Sequence, residues 1–180
     1  MKRALPSLLL LVFASNTQAH RLDEYLQATR ITVATNRIDL SIHLTPGVAV
    51  FDQLFPVIDR DHDGRVSDKE AATYARRLLK DLQVRLDGKP LNLAAGDINF
   101  PPLSDARAGI GVIRFKAAAT IDGLAPGRHE LVLENRHLPA ISVYLVNVLA
   151  PKNDAIQIDR QIRNKNQSNY SLLFTLKSSK

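Results

Sequence analysis

Asp59, Asp61 and Asp63 alternate along the chain, Gly64 follows at once, and Glu70 closes the run DRDHDGRVSDKE. Acidic side chains spaced in this way turn inward together when the backbone curves, while the residues between them turn out. Left alone, the carboxylates repel one another. A hard divalent cation removes that repulsion, and calcium in particular takes roughly six to eight oxygens at about 2.3–2.6 Å in a flexible shell. The sharp reversal such a cage needs falls at Gly64, the residue type that adopts it without steric strain. Ser67 precedes Glu70 by three residues, which predicts a capping box starting a helix at the end of the run.

The spacing matches D-x-[DN]-x-[DN]-G-x5-E at every constrained position, and the stretch resembles the calcium loop of the EF-hand superfamily. The resemblance covers the loop, the helix after it and, less well, the segment before it. It implies Ca2+ as the ligand, held by Asp59, Asp61, Asp63, the backbone carbonyl of Arg65, Ser67 through water, and both carboxylate oxygens of Glu70. Val66 then faces the core. The chain departs from the family in two respects. Pro56 falls where the entering helix would make backbone hydrogen bonds, which predicts a short or kinked helix. No second loop of this kind accompanies the first, so this one must lean on another part of the molecule.

The flanking sequence bounds what such a loop serves. The chain has 180 residues, 45% hydrophobic and 23% charged, in the range of an ordinary globular domain. Residues 1–19 carry Lys2 and Arg3, an apolar stretch from Leu5 to Ala14 and the small-residue site Thr17-Gln18-Ala19. This reads as a signal peptide, with residues 20–180 as a single exported domain, periplasmic or secreted. No later stretch is apolar enough to span a bilayer. Cysteine is absent, so neither disulfides nor thiolate ligands are available. The 24 basic and 18 acidic residues give +6, or +4 without Lys2 and Arg3. No basic run is dense enough to indicate nucleic acid.

Cleavage after Ala19 would leave His20 first, where a free amine and an imidazole can chelate copper or nickel. His43, His129 and His137 are the imidazoles that would have to join it. This is the alternative reading, an accessory protein for transition-metal transport. A further reading is docking to an envelope protein through the helix pair.

The elements that must hold the loop follow from periodicity. Residues 25–35 and 37–45 read as strands, the second with Ile38, Leu40, Ile42 and Leu44 inward and His43 on the polar face. Val48 to Ile58 reads as a short entering helix, and Ser67 to about Leu82 as a long exit helix. Asp87-Gly88 marks a hairpin followed by Leu91 and Leu93. Residues 95–108 read as irregular. Strands are expected over 110–121, 128–135, 141–150, about Ile156 and Ile158, and 170–176, with 141–150 buried on both faces. The fold class is mainly β (α+β). A β-sandwich of about eight or nine strands carries one helix-loop-helix inserted at about 48–82.

Leu22 to about Leu149 also resembles the extracytoplasmic portion ahead of some bacterial nickel/cobalt-type permeases, through LDEYLQ, LTPGVAV, the single loop and LPAISVYLVN. That resemblance implies a soluble relative without the membrane part. No phosphate-binding glycine loop, G-x-S-x-G elbow or H-E-x-x-H is present, and no nucleophile, base and orienting group can be named together. The sequence therefore predicts an exported, non-enzymatic calcium-binding protein.

Overall fold

The computed structural model describes residues 23–178. The elements run β1 (Tyr25–Val33), β2 (Arg37–Pro46), α1 (Val48–Ile58), α2 (Asp68–Asp81), β3 (Leu82–Leu86), β4 (Lys89–Pro90), β5 (Ala94–Asn99), α3 (Leu103–Arg107), β6 (Ile113–Thr120), β7 (Gly127–Asn135), β8 (Ser142–Val148), β9 (Ile156–Arg163) and β10 (Asn169–Leu176). One sheet has the order β5-β6-β2-β1-β8 and the other β4-β3-β7-β10-β9. The pairing of β1 with β8 is parallel and the rest are antiparallel.

Alternation in the strands builds the core. Ile38, Leu40, Ile42 and Leu44 of β2 and Phe115 of β6 point inward from the first sheet. Leu131, Leu133, Tyr170, Leu172 and Phe174 point inward from the second, and all belong to one apolar cluster. Two sheets closing over a shared interior make a sandwich. The loop between α1 and α2 is inserted into the first sheet's side of the chain, directly after β2 and before β3 crosses to the other sheet. Among the described residues, no helix is long and apolar enough to cross a membrane. The expected signal peptide and His20 lie outside the described residues.

Four expectations need correction. Strand β8 is not buried on both faces: it is the edge of its sheet, and only Tyr144 and Val146 are buried within it. Its nearly all-apolar run, interrupted at Ser142 and Asn147, hides an ordinary inward-outward alternation that leaves Leu145 exposed. Residues 95–108 are not irregular. Strand β5 forms there although its side chains are mostly exposed, because its backbone completes the edge of β6. At Gly96 an added Cβ would lie 3.2 Å from the Lys116 carbonyl oxygen, so the glycine permits that approach. Helix α3, at five residues, is too short to show a helical period. Arm β4 of the Asp87-Gly88 hairpin has only two residues and excludes Leu91 and Leu93. With β5 added, the strands number ten among the described residues.

Candidate metal centre

Helix α1 delivers the first residue of the loop. Val50, Phe51, Leu54 and Ile58 are its buried face, and Asp59 caps its end with an amide hydrogen bond to the Phe55 carbonyl at 2.9 Å. Pro56 sits in the last turn. The helix is short, as expected, and the carbonyl of exposed Asp52, four residues earlier, loses its amide donor to the proline. Helix α2 then anchors the other end. Ser67 is its N-cap, and Ser67 and Glu70 form the predicted capping box. Glu70, Tyr74, Ala75 and Leu78 are its buried residues, at the spacing of one helical face. Val66 is half-buried and packs against the core.

Between the anchors the loop turns tightly. Gly64 has φ +81°, the left-handed region predicted for it, and a Cβ there would meet nothing within 4 Å. Its requirement is thus conformational and not spatial. His62 is also left-handed, with φ 60°. The turns are held by the acids themselves. The Gly64 amide donates to Asp59 Oδ2 at 3.0 Å, the Asp63 amide to Asp61 Oδ1 at 3.3 Å, and the Arg65 amide to Asp63 Oδ1 at 2.8 Å.

Asp59, Asp61 and Asp63 each place a carboxylate oxygen within 4.8 Å of the others'. Asp59 is 2% exposed, whereas Asp61 and Asp63 are open to solvent. The Asp59 Oδ1 atom is buried and has no hydrogen-bond partner. A carboxylate oxygen removed from water without a donor is costly, and a cation is the partner that suits it.

Glu70 stands outside this three-carboxylate group. Its Oε1 accepts the Arg60 amide at 2.6 Å and the Asp61 amide at 3.4 Å. Its Oε2 accepts the Ser67 amide at 3.0 Å and the Ser67 hydroxyl at 2.8 Å. The Ser67 amide and hydroxyl, with the Arg60 amide, bring its carboxyl down to about 2 from an ordinary 4.5. Glu70 therefore fastens the loop's beginning to its end. To ligate an ion it must exchange some of these donors for it. Of the remaining predicted ligands, Ser67 Oγ is engaged with Glu70, and Arg65 is exposed on the loop.

Among the described residues, the histidines do not converge. His43 lies on the outer face of the first sheet against Arg30, with ring nitrogens 2.9 and 3.1 Å from the guanidinium. His129 holds Asp87 at 2.8 Å and the Ala125 carbonyl at 2.8 Å. His137 is wholly buried. Among the described residues, the one group of three or more potential metal ligands is Asp59, Asp61 and Asp63.

His137 belongs instead to a buried polar chain that the sequence did not reveal. Its Nδ1 lies 2.7 Å from Asp81 Oδ2, its Nε2 lies 3.0 Å from the Tyr74 hydroxyl, and that hydroxyl lies 2.6 Å from the Tyr25 hydroxyl. A neutral ring with its proton on Nδ1 satisfies every member: it donates to Asp81, accepts from Tyr74, and Tyr74 accepts from Tyr25. Burial pushes the His137 pKa down against the upward pull of Asp81. Burial raises both tyrosines above their ordinary range. The His137 carbonyl also accepts from Gln27, Tyr144 and Ser142. His137 has no exposure, whereas the Asp81 side chain at the end of this polar chain is 32% exposed. The polar chain bolts α2 to β1 and to the β7–β8 connection. The sole signal in sequence is that Tyr74 and Asp81 stand seven residues apart on one helix.

Comparison with protein-family models, with curated proteins and with solved structures gives no match.

Proposed function

We propose that residues 59–70 hold one calcium ion and that the chain is an exported, non-enzymatic calcium-binding protein. The observation that carries this reading is the orphaned Asp59 Oδ1, buried at the edge of three carboxylates whose mutual repulsion a cation would relieve. The donors are all oxygen and include no thiolate or imidazole, which suits a hard ion. Asp59, Asp61 and Asp63 supply side-chain oxygens, and Arg65 through its carbonyl, Ser67 and Glu70 complete the set.

The ion's role is structural. Both flanking helices are already seated on the core by buried faces, and α2 is bolted further by the Tyr74–His137 chain. The protein's only methionine is Met1, so no methionine-rich groove exists for a moving helix pair to expose. Calcium instead neutralises the loop and braces the α1–α2 connection. With free calcium at ten times the dissociation constant, this adds about 1.4 kcal/mol to stability.

Titration calorimetry tests the proposal. One calcium site with a dissociation constant of about 10⁻⁴ to 10⁻³ M is expected, as is usual outside the cytoplasm. It disappears when Asp59 and Glu70 are both changed to Ala. A folded wild-type protein giving no calcium heat, or a double variant binding as tightly as wild type, overturns it.

A further inference from the structure

We infer that the outer face of the first sheet is a docking surface for an anionic phospholipid bilayer. The sheet order brings four basic side chains onto one side. Arg30 stands opposite Ser41, and Ser41 opposite Lys116; His43 stands opposite Arg114. All have the outward parity of their strands, since Ile31, Ile42, Leu44, Phe115 and Ala117 are the buried neighbours. His43 stands between Arg30, to which its ring is hydrogen-bonded, and Arg114, its cross-strand neighbour. Lys116 has Asp97 at 3.8 Å, with both groups mostly exposed. Among the described residues, neither Arg30 nor Arg114 makes an ion pair. Asp39, on the same face, is taken up by Arg37 at 2.6 Å, so the excess positive charge of the patch rests on Arg30 and Arg114. Burial together with Arg30 and Arg114 keeps the His43 pKa low.

Apolar side chains continue the same face. Leu26 pairs with Val143 and Ala28 with Leu145 on the neighbouring edge strand. Leu145 is 39% exposed, and Ile110, which borders the same hollow as Leu26 and Val143, is 73% exposed. Glu24 is the acid at this apolar end. Basic groups beside exposed aliphatic ones suit a bilayer interface, where cations meet lipid phosphates and aliphatic tips enter the acyl boundary. A soluble polyanion would use the arginines and leave Ile110 and Leu145 uncovered, and for that reason the bilayer is the better occupant.

Vesicle co-sedimentation in the presence of chelator tests this independently of the metal loop. Phosphatidylcholine vesicles with and without phosphatidylglycerol are compared. The protein is expected to bind only the anionic vesicles, and less tightly as salt rises. Replacing Arg30 and Arg114 by Ser should lower the partition coefficient about 25-fold, at about five-fold per charge. Ile110→Ser should weaken binding without changing its salt dependence. All three sites are exposed, so melting temperatures should stay near wild type. Failure to bind anionic vesicles, equal binding to neutral ones, or undiminished binding by the folded double variant overturns the inference. Binding to soluble polyphosphate but not to vesicles also overturns it.

Discussion

Asp59 is the residue at which stability and function oppose each other. Its Oδ2 accepts the Gly64 amide while its Oδ1 has no partner, and two more carboxylates lie within 4.8 Å. Unit charges about 4 Å apart repel by about 1–4 kcal/mol, depending on how well water screens them. Asp59→Asn keeps an acceptor for Gly64 and removes one charge. In chelator this variant should melt at a higher temperature than wild type, and in millimolar calcium at a lower one. Thermal melts under both conditions check that reversal; a variant less stable in both would mean that Asp59 is merely structural. The acids and Gly64 were legible in sequence because a loop of a dozen residues is local, and its φ requirement falls on a glycine. The use of Glu70 was legible only in part: its capping box with Ser67 was, but its hold on the Arg60 and Asp61 amides was not. Its four donors come from both ends of the loop, and only closure of the ring brings them together.

At the scale of elements, α2 decides how firmly the loop is held. Its start is fixed by Ser67 and Glu70, a pattern readable in sequence because the partners are three residues apart. Its middle and end are fixed by the Tyr25–Tyr74–His137–Asp81 chain, drawn from β1, from α2 itself and from the β7–β8 connection, of which sequence shows only the Tyr74–Asp81 spacing. Tyr74→Phe strips the central hydroxyl and leaves His137 Nε2 and the Tyr25 hydroxyl buried without a partner. The expected loss is about 1–3 kcal/mol in denaturant unfolding. A loss of only a few tenths would mean that the chain contributes nothing to the seating of the helix. Strands β2, β6 and β10 were visible through their period of two. Strand β8 concealed its period in a nearly all-apolar run, and β5 had no apolar period at all, since main-chain pairing with β6 creates it.

Across the whole molecule, several ionisable groups shape the pH response with differing signs, Glu70, His137 and His129 among them. Glu70 has a depressed folded pKa of about 2, so its contribution is complete above the ordinary carboxyl range and is lost as pH falls toward 2. His137 is also depressed, by burial, so protonation favours the unfolded chain and stability declines as pH drops below about 6.5. His129 behaves oppositely. Burial works against its charge, but hydrogen bonds to Asp87 and the Ala125 carbonyl raise its pKa. Its contribution is therefore complete below about 6.5 and is lost as pH rises through the folded value. In melting profiles against pH, His129→Gln should flatten the alkaline limb and also weaken the acidic one, because, against burial, the His129 hydrogen bond helps hold the Asp87 carboxyl low. An unaltered alkaline limb would show that the Asp87 pair is not coupled to folding. A β-rich body with two helices inserted after β2 was legible at this scale, because hairpin signals and alternation recur along the chain. The sheet order was not, because the parallel meeting of β1 with β8 joins residues more than a hundred positions apart.

The central claim concerns one oxygen atom, and a crystal structure of the protein grown in calcium, with the ion located by its anomalous signal, tests it most directly. The account predicts a single ion about 2.3–2.6 Å from Asp59 Oδ1, sharing oxygens of Asp61 and Asp63. An ordered loop in which Asp59 Oδ1 is satisfied by water or by a protein donor, with no ion beside it at saturating calcium, would contradict it.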